Sequence, residues 1–358
     1  MDRIFILVLS TILTGIIVGA VAILLALGFT SKGEVDLSDI EKANKNLSVF
    51  KIFFLGWVVE YDQESTLNYY KYHEKFTWVS PTWYVVDSNG NILEKYFDEY
   101  FVNKSKEWGV KVVPLVANEG FNREIVHKIL SDPKLREKVA QQLLDLVLER
   151  GYDGINIDFE NIPPEDRDNL TVFMKILYEM FHKRGKLVSI DVASKTKEVY
   201  KGWAGAYDYK ELGKYSDLVI LMIYDYHWST GSPGPISPLN WFRSVLEYAT
   251  QTIPKEKIVA GLPFYGYDWP VGQRAKGLKY SQAIELAKQY GAKVVFDEEN
   301  GEATFKYLVM GLRHEVWFNI AKSTELRIRI ALEYGINKIA AWRIGQEDPL
   351  TWNIIERP

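Results

Sequence analysis

The chain has no cysteine in its 358 residues. That removes disulfide staples, thiolate metal sites and thiol nucleophiles together, and leaves the redox compartment open. Histidine is scarce, five in all, with no H-E-x-x-H pair, and no D-x-D-x-D-G loop accompanies it. Neither a zincin-type centre nor an EF-hand calcium site is therefore encoded, and no metal or cofactor is called for. A positive field is missing too: 43 Lys and Arg stand against 47 Asp and Glu, a net charge of -4, and the basic residues are dispersed. Nucleic acid is not an expected partner. There is no internal repeat and no low-complexity tract. What is present is a hydrophobic content of 47%, enough for a sizeable core in one large domain or two ordinary ones.

The N-terminus supplies the one long apolar run. Residues 4–31 contain no charged side chain and are mostly Ile, Leu, Val and Ala. A helix rising ~1.5 Å per residue over this length can cross the ~30 Å hydrocarbon core with some tilt. A cleaved signal peptide is the competing reading, but its apolar region is normally about 7–15 residues and ends in small residues. The expectation is a single-pass anchor over 1–31, a polar tether over 32–48, and an exported domain over 49–358. No surface signal asks for an oligomer, so a monomer is expected.

Beyond residue 48, eight short apolar runs alternate with segments of helical period. They are FKIFFLGWVV, FTWVSPTWYVV, VKVVPLVAN, YDGINIDF, KLVSIDVAS, DLVILMIYD, KIVAGLPFYG and KIAAWRIG. The segments between them include Pro133–Arg150 and 164–184, the latter opening with Pro and acidic residues as helices often do. Eight strands alternating with helices predict a (β/α)8 TIM barrel, with a doubly wound open sheet as the alternative. Residues 270–320, between the seventh and eighth runs, are too long for one helix and read as a small α+β insertion. Following a strand, it belongs on the C-terminal face, where such barrels build their sites.

The fourth run carries an acidic alternation. In GYDGINIDFEN (151–161), side chains alternate sides along a strand, so Asn156, Asp158 and Glu160 share one face while Ile155, Ile157 and Phe159 share the other. In a barrel the polar set lines the interior, with Glu160 nearest the mouth. Asp158 and Glu160 are then roughly 6.6 Å apart along the strand, close enough to perturb each other's ionisation and keep one protonated. A carboxylic acid held protonated beside a second carboxyl is what acid-catalysed glycosidic cleavage requires. The competing reading of an isolated D-x-E in a strand is a buried hydrogen-bonded network without catalysis.

The residues here resemble glycoside hydrolase family 18, the chitinase family. DGINIDFE looks like its D-x-x-D-x-D-x-E signature, and LMIYDYHW (221–228) like its sixth-strand M-x-Y-D motif. GLPFYGYDW, HEVWF and WRIGQEDP look like those of its spore-cortex-lytic, peptidoglycan N-acetylglucosaminidase branch. The likeness runs from about residue 50 to the end. It implies substrate-assisted, retaining hydrolysis of a glycan containing N-acetylglucosamine. Glu160 would be the acid and then the base, Asp158 would orient the acetamido N–H, and Tyr224 would donate to the acetamido carbonyl. Asp225 would help fix the sugar, and Trp342 would floor the ring. The implied partner is such an oligo- or polysaccharide, peptidoglycan-type first and chitin-type second. A barrel that binds amino sugars without cleaving them is the non-enzymatic alternative, and the presence of Glu160 argues against it. The signature most often has Asp where this chain has Asn156, an amide that can still hydrogen-bond but cannot carry a second negative charge.

Aromatic residues are abundant, and most fill the core of a barrel this size. Those near strand C-termini are candidates for sugar contact: Trp83, Tyr84, Tyr224, Trp228, Tyr265, Tyr267, Trp269 and Trp342. His227 is a candidate by position, though a lone histidine is more often a structural donor. Asp191 is a weak candidate, since it faces the interior only if Ser189 and Ala193 do too.

Overall fold

A computed structural model describes residues 35–358. The anchor expected over residues 1–31 lies outside them. Among the described residues no helix is long and apolar enough to cross a membrane.

The eight apolar runs form eight parallel positions of one curled α/β sheet. The barrel strands are Phe53–Val58, Trp78–Pro81 continued by Tyr84–Val86, Lys111–Val112 continued by Leu115–Asn118, Gly154–Asp158, Leu187–Ala193, Leu218–Met222, Ile258–Pro263 and Lys338–Trp342. The last pairs in parallel with the first, and each other strand pairs with its chain neighbour. The second and third strands are each interrupted once. Trp78–Pro81 pairs with Lys111–Val112, and Tyr84–Val86 with Leu115–Asn118, so the ring of pairings closes across the interruptions. The third strand pairs with the fourth. This is the arrangement expected of a TIM barrel.

Period-2 alternation divides the core in two. Leu55, Trp57, Trp78, Leu115, Ile220, Val259 and Ala340 fill the interior. Ile155, Ile157 and Phe159 face outward into the larger core beneath the helices, and Phe159 stacks on Phe173 at 5.4 Å. The helix Pro133–Arg150 has its predicted bounds for local reasons. Asp132 caps it by accepting from the Lys134 N–H, Pro133 fits its first turn, and Gly151 ends it in a left-handed conformation. Its buried Val139, Ala140, Leu143, Leu144 and Val147 lie on one stripe. Each contributes on the order of 1–3 kcal/mol by leaving water. The next helix, Arg167–His182, follows a 3-10 turn at Pro164–Asp166 and buries Leu170, Phe173, Met174, Leu177 and Phe181 in the same way. Gly154 is fixed by close approach, since a Cβ there would lie 2.2 Å from the Leu187 carbonyl oxygen.

The insertion begins earlier than residue 270. Gly266–Pro270 leaves the seventh strand directly and enters a five-stranded antiparallel sheet with Lys276–Leu278, Val295–Asp297, Glu302–Val309 and Leu312–Phe318. Helix Tyr280–Tyr290 covers that sheet. The described part of the segment expected as a tether is docked on the insertion. Its short helix Ser38–Ala43 buries Ile40 in the insertion core. The Val294 N–H donates to the Asp36 carbonyl at 3.1 Å, and Asn44 donates to Asp348 at 2.9 Å.

Candidate active site

The fourth strand stops at Asp158, and the backbone beyond it is held by two neighbours. The Glu160 N–H donates to the Asn118 side-chain oxygen at 2.9 Å, and the Asn118 amide donates back to the Glu160 carbonyl at 3.2 Å. Tyr207 donates its hydroxyl to the Phe159 carbonyl at 2.8 Å. Asn118 ends the third strand, so the position of Glu160 at the mouth is set from an adjacent strand. Below it, Asn156 and Asp158 point into the barrel as the alternation predicts, and Ser80 on the second strand donates to Asn156 at 3.4 Å.

These groups border a cavity of about 1170 Å³ at the C-terminal mouth, whose wall includes Asp158, Glu160, Asp191, Tyr224, Asp225 and Trp342. Ligand pockets commonly enclose about 300–1,000 Å³, so this one has room for more than a single sugar ring. Its electrostatics are one-sided. Burial pushes Asp158 upward. Burial and then the charges of Asp158 and Asp225 push Glu160 well above the usual carboxyl range. Asp191 is raised by burial, Asp158 and Glu160, against a smaller opposite effect of the Asn156 amide. The geometry closes no hydrogen bond there, since the Asn156 Nδ2 and the Asp191 Oδ1 both lack partners. Three such groups side by side oppose one another's ionisation, and the charged form of Glu160 is the one disfavoured by burial and by two neighbouring charges.

The rest of the wall is aromatic. Tyr224 is kept a neutral phenol by burial and the surrounding carboxyls. Asp225 adopts a left-handed backbone conformation, φ 58°, one that Asp tolerates better than most residues. There it accepts hydrogen bonds from Tyr265 and Tyr267. Burial raises its pKa and the two tyrosines oppose the rise. Trp342 lies half-buried at the end of the eighth strand, edge-on to Trp57 at 5.9 Å. Trp228 is 54% exposed on the rim, with its indole N–H donated to Thr230. Among the described residues no group of three His, Asp or Glu side chains is disposed to hold a metal ion.

Not every expected residue reaches the cavity. Trp83 does not: it is 2% exposed and packs on the helix side among Phe97, Phe101 and Tyr152. Alternation from Trp78 and Val79 already turns it outward, and what the interruption at residues 82–83 changes is Val85, which it brings to the interior. Tyr84 touches the wall, but its hydroxyl is committed to Tyr152 at 2.8 Å and Glu94 at 3.2 Å. His227 turns away to the Ser232 carbonyl at 2.9 Å, filling the space beside Gly234 and shaping its own loop. Trp269 is buried within the insertion sheet. Asp191, a weak candidate from sequence, is on the cavity wall, and in the other direction Asn118, Tyr61, Phe121 and Trp203 belong to the site or its rim. For Asn118 the available signal was an isolated polar residue closing an apolar run. Tyr61, Phe121 and Trp203 sit on loops, where no periodicity marks them.

A carboxyl group whose charged form is disfavoured, beside a second carboxyl at the mouth of an aromatic-walled α/β barrel, is an arrangement suited to glycoside hydrolysis. The comparison with known proteins agrees: residues 36–347 match the family described as glycosyl hydrolases family 18, and the chain belongs to that family. A putative sporulation-specific glycosylase of Bacillus subtilis, YdhD, is 33% identical over 271 residues, 73% of this chain and 64% of that protein. The cortical fragment-lytic enzyme of the same organism is 31% identical over 251 residues, 68% of this chain and 58% of that protein. This chain thus matches less than two thirds of the length of either. The crystal structure of the Bacillus cereus spore cortex-lytic enzyme SleL superimposes with a TM-score of 0.80 at 25% identity, covering 86% of this chain and 74% of that one.

Proposed function

We propose that this chain hydrolyses β-1,4 bonds of an N-acetylglucosamine-containing glycan with retention, using the substrate's own acetamido group as nucleophile. The observation that carries this reading is Glu160, held by Asn118 at the cavity mouth and kept protonated by burial and the charges of Asp158 and Asp225. The Glu160 O–H bond breaks as its proton passes to the leaving glycosidic oxygen. The acetamido oxygen closes on the anomeric carbon to give an oxazolinium ion, whose charge Asp158 balances. Water then adds to that carbon, giving its proton to Glu160 and restoring the acid. Tyr224 is poised to donate to the acetamido carbonyl, Asp225 is fixed by two tyrosines to hold the sugar, and Trp342 provides an apolar floor.

Peptidoglycan-type glycan is the first substrate in this reading. Support comes from the relatives, described as a sporulation-specific glycosylase, a cortical fragment-lytic enzyme and a spore cortex-lytic enzyme. Chitin-type oligosaccharide is the second, since di-N-acetylchitobiase of Mus musculus also matches, at 27% identity over 253 residues. Work outside the cytoplasm as a membrane-anchored protein belongs to the same proposal and rests on the apolar run 4–31 alone.

Mass spectrometry of digests of peptidoglycan and of chitin oligomers tests the reading. Products ending in a reducing N-acetylglucosamine support it, and the better substrate names the glycan. No cleavage of either polymer refutes it.

A further inference from the structure

Asn156 leaves the fourth strand with one ionisable interior side chain fewer than the resembled signature carries. The neighbouring strand puts a carboxyl group back two residues nearer the mouth, level with Asp158. The fourth and fifth strands run parallel in the register Gly154↔Leu187 to Ile157↔Ile190. One step further along that ladder Asp158 stands beside Asp191, both on the face turned to the interior. They are 5% and 1% exposed, and both border the cavity. One carboxylate oxygen of each is without a partner, as is the Asn156 Nδ2. Ser189, level with Asn156, does not satisfy them, because its hydroxyl is donated to the Ile155 carbonyl at 3.3 Å.

A buried carboxyl this close to another is a burden on a fold unless something uses it. The titratable groups facing Asp191 are Asp158 and Glu160 from the fourth strand, Tyr224 after the sixth, and Tyr207 from the loop after the fifth. None is a cation. The two cationic side chains on the cavity wall are engaged elsewhere, Arg343 with Asp62 at 2.8 Å and Lys95 with Glu119 at 3.6 Å. Asp191 is therefore not half of a structural ion pair, and what it can share with Asp158 is a proton.

We infer that Asp191 is the proton partner of Asp158, a positioning residue that supplies from the fifth strand the carboxyl function that neutral Asn156 cannot supply from the fourth. The inference rests on the glycosidase reading above. At rest the pair holds one proton between its two carboxyl groups. When the acetamido N–H of the substrate arrives, that proton is held as an O–H bond at Asp191. Asp158 is left ionised to accept the N–H and to balance the oxazolinium charge. After water has added and product has left, the proton is again shared by the two carboxyl groups. No proton is gained or lost in this cycle, and it is separate from the one that Glu160 donates and recovers.

The test is the kinetics of Asp191→Asn, and of the double variant Asn156→Asp with Asp191→Asn, on an aryl glycoside of N,N′-diacetylchitobiose between roughly pH 4 and 9, with thermal melts. Asp191→Asn is expected to lower kcat by about 10- to 100-fold with KM changed by less than about two-fold. Its acidic limb should move toward base, because Asp158 must then ionise alone, with no partner to take its proton. Returning the carboxyl to the fourth strand in the double variant should recover about ten-fold or more of kcat. Parent-like kcat and pH profile in Asp191→Asn overturn the inference, as does a loss that the double variant fails to rescue. Failure of Asp191→Asn to fold overturns it too, since the residue would then serve the barrel and not the chemistry. A parent protein that turns over neither this probe nor peptidoglycan refutes the glycosidase reading itself, whereas an active parent with an indifferent Asp191→Asn refutes only the role given to Asp191.

Discussion

Glu302, on the insertion sheet, and Glu160, at the barrel mouth, are both acidic residues removed from bulk water, and their surroundings differ in kind. Glu302 is fully buried, and its oxygens accept from the Ile236 and Ser237 N–H groups at 2.9 and 2.7 Å and from Arg327 at 2.7 Å. Arg327 in turn donates to the Ser237, Gly301 and Ser323 carbonyls and to Asn319. Charge and hydrogen-bonding capacity are matched there, and the network ties the insertion to the loop after the sixth strand and to helix Ala321–Glu333. At the mouth nothing matches: burial raises Asp158, the charges of Asp158 and Asp225 add to burial at Glu160, those of Asp158 and Glu160 add to it at Asp191, and Asp158 and Asp191 each keep an oxygen without a partner. A fold gains from the first arrangement and is weakened by the second, so the second is where a reaction is expected to repay the cost.

The contrast breaks most sharply at Glu160. Replacing it with Gln keeps size and hydrogen bonding but removes the transferable proton, and kcat should fall on the order of 10³-fold with oligosaccharide affinity nearly unchanged. Steady-state kinetics alongside equilibrium binding of a chito-oligosaccharide check this, and comparable turnover in the variant ends the acid assignment. Glu302→Gln should do the reverse. It leaves the Arg327 guanidinium buried without its counter-charge, at a cost of about 3–5 kcal/mol in denaturant unfolding. The folded fraction should cleave substrate at close to the parent rate. A variant that loses activity without losing stability would show that the insertion network reaches the chemistry after all.

How much of this could be read from the sequence depended on whether periodicity governed the residue. Asp158 and Asn156 lie inside a regular strand, so parity alone turned them inward, and the eight alternating runs became the eight barrel positions. Trp83 shares the outward parity of Val79 and was a candidate only by its place near a strand end, and His227 failed beyond the left-handed Asp225, where regularity ends. Asp191 was undervalued because its face of the strand mixes Ser189 and Asp191 with Leu187 and Ala193, and such a face is not marked as the interior until a neighbouring strand fixes the register. The docking of Ser38–Ala43 was illegible for a different reason. A single buried residue, Ile40, on a six-residue helix produces no period, and a charged composition looked like a tether. Asn118 acts through its backbone clamp on Glu160, a contact between residues 42 positions apart that no local pattern announces.

The smallest effect is the most discriminating, because it asks whether the mouth really carries a stability penalty. A carboxyl whose pKa is higher in the folded than in the unfolded chain binds its proton more tightly when folded. Its favourable contribution is complete below the unfolded value, about 4.3 for Glu, and is lost as pH rises toward the folded value. Glu160 is raised in this sense by burial and by the charges of Asp158 and Asp225. Glu160→Gln, which has nothing to ionise, should therefore be more stable than the parent at about pH 8, by ~1 kcal/mol after allowance for solvent at the mouth. The two should converge near pH 4, where the parent side chain is protonated in both states. Comparing variant with parent at each pH cancels the titration of distant carboxylates. A difference in melting temperature that is the same at both pH values would mean that Glu160 sits in the fold at no electrostatic cost, and the distinction between its surroundings and those of Glu302 would lose its physical basis.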